Sequence, residues 1–157
     1  MNRVCIALGG NMGDTEALIN QALIKMKGRG IKPVKVSSFI VTKPYGGVEQ
    51  DDFLNGACVA ETDLDPETLL ATLLDIEKEL DRVRVIHWGP RTIDLDVIFY
   101  EDRIINTNTL TVPHRDMENR TFVLEPMNEI CPDWIHPVNG KTVRELYEDI
   151  KNNRTDC

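Results

Sequence analysis

Two aspartates separated by one residue, Asp94 and Asp96, are the side chains in this sequence best suited to chemistry. They lie in an apolar run of β-branched and aromatic residues, which predicts a strand. Side chains alternate along a strand, so both carboxylates project from one face, about 7 Å apart, and Ile93, Leu95 and Val97 take the other face. Mg²⁺ suits such a pair, because it binds one or two carboxylates and completes its octahedron with water and phosphate oxygens.

Three arginines precede this strand. Arg91 lies three residues before Asp94, and Arg82 and Arg84 lie in the same segment. A guanidinium binds phosphate oxygens bidentately, so arginines beside a carboxylate–metal site suit a polyphosphate ligand. The spacing alone leaves a second interpretation open, in which the aspartates occupy the solvated face of a structural strand and form an ion pair with Arg91.

Two long loops could close over the aspartate strand. The first, over residues 42–52, is polar and contains Pro and paired Gly, and the second, over residues 82–91, is rich in Arg. Loops of this length in a compact domain are often mobile and functional. The residues therefore favour a Mg²⁺-dependent protein that binds a phosphorylated ligand. Phosphoryl transfer is the favoured reaction, since it requires positioning and charge neutralisation more than a strong base.

A longer set of residues resembles one protein family. Arg82-Val83-Arg84, the run from Trp88 to Asp96, and Val112-Pro113-His114 are similar in type and order to the 6-hydroxymethyl-7,8-dihydropterin pyrophosphokinases of folate biosynthesis. The resemblance extends from Gly9 to about Pro137. It implies that the chain transfers the β,γ-pyrophosphoryl group of ATP to the hydroxymethyl group of 6-hydroxymethyl-7,8-dihydropterin and releases AMP.

The resemblance also implies a role for each matching residue. Asp94 and Asp96 match the ligands of two Mg²⁺ ions, and Arg82 and Arg91 match catalytic arginines that close over the triphosphate of the co-substrate ATP. The expected nucleotide-binding residues are Arg82, Arg84, Arg91, His114 and Arg120. The expected pterin-binding residues are Thr42, Pro44, Tyr45, Phe53, Asn55, Trp88 and Phe122. The chain departs from the family pattern at Asp81, His87 and Arg115, and none of these positions is a metal ligand.

Several of these residues have ordinary structural explanations when the family is set aside. Phe53 and Phe122 would be core residues, and Asn55 would be a hydrogen-bonded residue near the start of a strand. A lone His is more often structural, although the arginines near His114 leave anion binding equally open. The segment Gly9–Gly13 lacks a Gly-Lys-Ser/Thr ending, which favours a strand-to-helix turn over a nucleotide-binding loop.

The composition sets limits on the class of protein. A chain of 157 residues predicts one domain over 1–157, with residues 151–157 as a frayed tail. The net charge of −8 argues against nucleic-acid binding, and no apolar run approaches the roughly 20 residues that a membrane helix needs. The four cysteines lack Cys-x-x-Cys spacing, and Cys5 and Cys58 lie in strand-like runs, which predicts buried free thiols in a reducing cytoplasm. Association with other folate enzymes is left open.

The elements that position the site follow from hydrophobic periodicity. Strands are expected over residues 3–8, 34–41 and 53–62 and at the aspartate run, with a short strand at Ile104-Ile105. Helices are expected after Asp14, from Asp65 as N-cap and Pro66 as first residue, and after a capping box of Thr142 and Glu145. The second of these helices has an apolar stripe of Leu69, Leu73, Ile76 and Leu80, with Leu70 and Leu74 beside it. The order strand, helix, strand, strand, helix, strand predicts an α+β ferredoxin-like sandwich. In it, two main helices cover one face of a mostly antiparallel sheet, and a helical extension follows at the C-terminus.

Two other classes of function share some of these features. A non-catalytic nucleotide- or metabolite-sensing module could use the same fold, but it has no need of a two-metal site. Nucleotidyl transfer to a nucleic acid also uses paired aspartates on a strand, and the acidic composition argues against that reaction. Release of AMP rather than pyrophosphate distinguishes the predicted reaction from nucleotidyl transfer.

Overall fold

The computed structural model describes residues 1–11, 15–42, 53–83, 93–115 and 117–154. The strands in these ranges are β1 (Asn2–Asn11), β2 (Ile31–Val36), β3 (Ile40–Thr42), β4 (Phe53–Thr62), β5 (Asp94–Tyr100), β6 (Ile105–Asn106) and β7 (Thr111–Val112). The helices are α1 (Thr15–Gly28), α2 (Pro66–Val83), α3 (Thr121–Ile130) and α4 (Val143–Arg154). A short 3₁₀ helix, Met117–Asn119, precedes α3.

The main sheet has the strand order β2-β4-β1-β5, and β3 pairs with a second part of β4. Every pairing in it is antiparallel. β1 therefore lies between β4 and β5, and β5 is at the end of the order. This arrangement confirms a mixed α/β fold built on an antiparallel sheet. The small β6–β7 hairpin lies outside the main sheet, and of it only a short strand at residues 104–105 was expected.

The helices α1 and α2 bury their apolar stripes in one cluster with the sheet. The four predicted contact residues of α2 are fully buried: Leu69, Leu73, Ile76 and Leu80. Asp65 begins this helix as predicted, because its Oδ1 accepts a hydrogen bond from the Thr68 N–H at 2.8 Å. The same cluster takes in Ile93, Leu95 and Val97 from around β5.

The opposite face of the sheet carries a second apolar cluster, which includes residues of α3 and α4. α3 is absent from the predicted elements, because Pro126 interrupts its pattern and lacks the N–H that a helix interior uses. Burial of Val123, Leu124 and Met127 outweighs this loss. The capping box of α4 is confirmed: the Glu145 N–H donates to Thr142 Oγ1 at 3.1 Å, and the Thr142 N–H donates to Glu145 Oε1 at 2.9 Å.

Three element boundaries differ from the prediction. The expected turn at Gly9 is wrong for residues 9–11, since β1 continues to Asn11 in pairing with β4, and Gly9 also pairs with β5. The expected strand over 34–41 begins at Ile31 instead and is interrupted at residues 37–39. The interruption has a physical cause, because the Ser37 hydroxyl replaces a backbone carbonyl as acceptor for the Ala57 N–H at 2.8 Å. α4 also continues to Arg154, past the expected start of a frayed tail at residue 151.

None of the helices in the described ranges is long and apolar enough to cross a membrane. The predicted free, buried thiols of Cys5 and Cys58 are confirmed. Burial raises the pKa of the Cys58 thiol to about 12. This thiol therefore stays protonated in the folded protein at pH values where an exposed thiol ionises.

The Cys58 thiol makes the folded protein less stable at alkaline pH. The unfolded thiol ionises above about pH 9 and the folded one only near pH 12, so the unfolded state binds fewer protons between these values and stability falls as pH rises. The advantage of wild type over Cys58→Ala in free energy of unfolding should shrink by about 1.4 kcal/mol per pH unit above pH 9. Urea unfolding of both proteins at pH 8 and pH 10 measures this. An equal difference at both pH values would contradict it.

Candidate functional site

The two aspartates lie on one face of β5, as predicted. Leu95, between them, is buried in the cluster formed with α1 and α2, so Asp94 and Asp96 project from the opposite face. Asp96 is exposed and Asp94 is half-buried. This is the face on which α3 and α4 pack further along the sheet. Both carboxylates are therefore directed away from the core between the sheet and α1 and α2.

Asn55 lies on the same face as the aspartates, two strands away. Gly9 of β1 pairs with Asn55 on one side and with Asp94 on the other, so the three residues form one row across the sheet. A Cβ atom at Gly9 would lie 2.8 Å from Asn55 Oδ1. The absence of a side chain at position 9 thus allows the Asn55 amide to lie over β1, between its own strand and the aspartate strand.

The next row along the sheet is also lined by small residues. Ala7 pairs with Ala57 on one side and with Asp96 on the other. Phe122, near the start of α3, is half-buried against the cluster that contains Ala57. Ala57 is buried and Ala7 is half-buried, so the accessible part of this row lies at Ala7 and Asp96. The aromatic ring of Phe122 offers a flat face on which a planar ring can stack.

Backbone hydrogen bonds fix His114 and Arg120 relative to β5. The His114 N–H donates to the Ile98 carbonyl at 3.1 Å. The carbonyl of His114 then accepts from the Met117 N–H at 3.3 Å, and the carbonyl of Met117 accepts from the Arg120 N–H at 3.2 Å. The Arg120 guanidinium lies 5.9 Å from the centre of the Phe122 ring. These hydrogen bonds therefore connect His114 to β5 and link it through Met117 to Arg120 at the start of α3.

Glu77 is a buried carboxylate next to the aspartate strand that sequence reasoning did not include in the site. It lies on α2 and is 5% exposed, and its Oε2 accepts a hydrogen bond from the Leu95 N–H at 2.7 Å. A signal was present in the sequence. Glu77 is four residues after Leu73 and three before Leu80, which places a carboxylate on the apolar stripe of the helix.

Other predicted site residues lie outside the described structure. Pro44, Tyr45, Arg84, Trp88 and Arg91 are in the undescribed ranges. Only the backbone is described for Thr42, Phe53 and Arg82, of which Thr42 pairs with Phe53 and Arg82 is in the last turn of α2. The two described residues that flank segment 43–52 are therefore neighbours on β3 and β4.

The chemistry of the described donors fits Mg²⁺. No group of three or more His, Cys, Asp or Glu side chains suited to a metal occurs in the part of the chain that the structure describes. Two carboxylates on one face of a strand match the way proteins bind Mg²⁺, which keeps its other positions for water and substrate phosphates. A closed structural metal site would need more protein ligands.

Comparison with known proteins identifies the family. The sequence profile of 7,8-dihydro-6-hydroxymethylpterin-pyrophosphokinase matches residues 5–132. The chain belongs to this family. A 2-amino-4-hydroxy-6-hydroxymethyldihydropteridine pyrophosphokinase of Methylorubrum extorquens is 42% identical over 151 residues, which cover 96% of this chain and 94% of the relative. The family predicted from the sequence is confirmed, and with it a pyrophosphokinase function in folate biosynthesis.

Two longer proteins contain a region similar to this chain. The folic acid synthesis protein fol1 of Pneumocystis carinii is 44% identical over 147 residues, which cover 94% of this chain and 20% of that protein. The crystal structure of a Plasmodium falciparum HPPK-DHPS triple mutant matches with a TM-score of 0.79 and 16% identity, over 99% of this chain and 44% of that chain. The pyrophosphokinase fold is thus common to this chain and to parts of larger proteins.

Proposed function

We propose that the chain transfers the β,γ-pyrophosphoryl group of ATP to the hydroxymethyl oxygen of 6-hydroxymethyl-7,8-dihydropterin, with Asp94 and Asp96 as ligands of two Mg²⁺ ions. A bond forms between the hydroxymethyl oxygen and the β-phosphorus, and the bond from that phosphorus to the AMP oxygen breaks. The hydroxyl proton is lost, and the products are AMP and the pterin diphosphate. Family membership supports the overall reaction, and the geometry of the sheet supports the residue roles.

One observation carries these roles: the carboxylates of β5 and the Asn55 amide lie on the same face of one sheet, joined by the row through Gly9. A ligand on this face meets carboxylates at one end and an amide with donor and acceptor atoms at the other. The amide suits the edge of a heterocycle, which carries both kinds of hydrogen-bonding group. The carboxylates suit the metal that accompanies a polyphosphate.

Each residue contributes binding or orientation. Asn55 hydrogen-bonds the pterin edge, and Phe122 stacks on the ring from the start of α3. His114 and Arg120 bind phosphate oxygens from the turns that follow β5. Mg²⁺, when bound to the aspartates, would neutralise charge on the transferred group. These interactions place the hydroxymethyl oxygen and the β-phosphorus in line, which is the main requirement of phosphoryl transfer.

The remaining predicted residues complete the proposed site. Arg82 and Arg91 are proposed to steady the charge that develops on the triphosphate, with Arg84 as a further phosphate ligand. The proposed lining of the pterin pocket is completed by Thr42, Pro44, Tyr45, Phe53 and Trp88. Thr42 and Phe53, the described residues on either side of segment 43–52, pair with each other two residues from the Ile40–Asn55 pair. This position supports a role for the segment beside the pterin.

Three broader features are also proposed: the fold class, association with another folate enzyme, and the cellular compartment. The strand order β2-β4-β1-β5, with a helix after β1 and after β4, supports the ferredoxin-like class. The region of similarity in HPPK-DHPS supports association with a further folate enzyme. The free cysteines suit a reducing cytoplasm.

Incubation with ATP, Mg²⁺ and 6-hydroxymethyl-7,8-dihydropterin tests the proposed reaction. We expect AMP to form in amounts equal to the pterin diphosphate, and only when the pterin is present. Chromatography of the nucleotides and pterins measures both products, and a reaction without pterin is the control. ATP binding without AMP would indicate a sensing module, and release of pyrophosphate would indicate nucleotidyl transfer.

A further inference from the structure

Glu77 connects α2 to the aspartate strand. Its carboxylate is the one buried acidic side chain among the residues that the structure describes. The hydrogen bond that it accepts from the Leu95 N–H is short, at 2.7 Å, and involves the residue between Asp94 and Asp96. A hydrogen bond from a backbone N–H to a buried carboxylate is stronger than one between neutral groups. The contact is therefore suited to fixing the backbone at this point.

Among the described strands, the position of β5 at the end of the strand order leaves the Leu95 N–H without a neighbouring strand on that side, and Glu77 supplies its acceptor. β5 ends the strand order, with β1 as its neighbour in the main sheet. The Leu95 N–H is directed to α2, and backbone groups of an antiparallel strand alternate in direction, so the backbone groups of Asp94 and Asp96 face β1. The backbone of residues 94–96 is thus fixed by β1 at Asp94 and Asp96 and by α2 at Leu95.

We propose that Glu77 is a positioning residue, which sets the separation and orientation of the Asp94 and Asp96 carboxylates by fixing the Leu95 peptide. This inference depends on the proposed role of the two aspartates as metal ligands. Residues that do not bind the metal but orient its ligands typically lower metal affinity 10–100-fold when they are substituted. Glu77 approaches from the α2 side of the sheet, whereas the aspartates project from the opposite face, so it acts through the backbone of β5.

Two substitutions distinguish the effect of the position of the Glu77 acceptor oxygen from the effect of its charge. Glu77→Gln keeps the length of the side chain and an oxygen acceptor but removes the charge. Glu77→Asp keeps the charge but shortens the side chain by one methylene, so its carboxylate no longer reaches the Leu95 N–H without a shift of the helix. A positioning role predicts that Glu77→Asp weakens metal binding 10–100-fold and that Glu77→Gln stays within about threefold of wild type, below that range.

Electron paramagnetic resonance measures the affinity of each variant for Mn²⁺ in the presence of a non-hydrolysable ATP analogue. The exchange rate of the Leu95 amide hydrogen, measured by NMR, reports on the contact itself and should rise in Glu77→Asp. Urea unfolding of each variant shows whether the protein is folded, and Asp96→Asn serves as the reference for a lost metal ligand. Because Glu77→Gln retains an acceptor, we expect it to fold, and a tenfold or greater loss of Mn²⁺ affinity in this variant overturns the inference even should Glu77→Asp fail to fold.

The outcomes are distinct. Weaker Mn²⁺ binding in folded Glu77→Asp, with binding retained in Glu77→Gln, supports the inference. It is overturned if Glu77→Asp binds Mn²⁺ as wild type does while Asp96→Asn does not, or if Glu77→Gln loses tenfold or more in affinity. Wild-type binding by Asp96→Asn would instead refute the proposed metal ligands, and the positioning role with them.

Discussion

Asp96→Asn is expected to lower kcat/KM for AMP release by about 10³-fold or more. The substitution keeps the shape of the side chain but removes the negative charge of a proposed metal ligand, which is exposed on β5. Metal stabilisation of the transferring group is worth several kcal/mol, and each 1.4 kcal/mol corresponds to about tenfold in rate. Steady-state AMP formation across a range of Mg²⁺ concentrations measures the effect.

The stability of Asp96→Asn should differ little from wild type, within about 0.5 kcal/mol, because the side chain is exposed. Asp102→Asn is a matched control, since Asp102 is also an exposed aspartate and lies in the turn directly after β5. The control should retain wild-type activity. Equal activity in Asp96→Asn and Asp102→Asn would exclude Asp96 as a metal ligand.

Gly9→Ala should weaken pterin binding by about 10–100-fold, the loss expected when one or two hydrogen bonds to a buried ligand edge are misaligned. The new Cβ atom would lie 2.8 Å from Asn55 Oδ1 and 3.3 Å from the Leu54 carbonyl oxygen. The backbone oxygen is fixed by the sheet, so the Asn55 side chain must move. Isothermal titration with the pterin and a non-hydrolysable ATP analogue measures the change. The crowding should also reduce the free energy of unfolding by about 1–3 kcal/mol.

Two comparisons show whether the effect of Gly9→Ala acts through Asn55. Gly28→Ala is the matched control, because among the described residues no atom outside its own stretch of α1 lies within 4 Å of the new Cβ position, and it should bind the pterin as wild type does. In an Asn55→Ala background the clash is relieved, so Gly9→Ala should cause little further loss. Equal losses in both backgrounds would show that Gly9 affects binding independently of Asn55.

Local pattern was sufficient for many features of this protein. The alternation around Asp94 and Asp96 placed both carboxylates on one face, and the apolar spacing of α2 identified its buried stripe. The caps at Asp65 and at Thr142 with Glu145 were also correct. Each of these features depends on residues within one or two turns, or within one strand, so the sequence determines them before the chain packs.

Tertiary structure decided the features that depend on contacts between distant segments. Gly9 and its neighbours have the composition of a turn, but β4 pairs with residues 9–11 and β5 pairs with Gly9, and these pairings keep β1 extended. α3 forms despite Pro126, because its apolar residues are buried against the sheet.

The sequence by itself determined the family, the pair of aspartates and their common face. Only the tertiary structure decided that Asn55 lies over Gly9 in a row with Asp94, and that Glu77 holds the Leu95 peptide from α2. The physical reason is sequence separation: Gly9, Asn55 and Asp94 are about 40 residues apart in succession, and strand pairing alone brings them together. Periodicity gives the face of a side chain, whereas its partner depends on which strands and helices become neighbours.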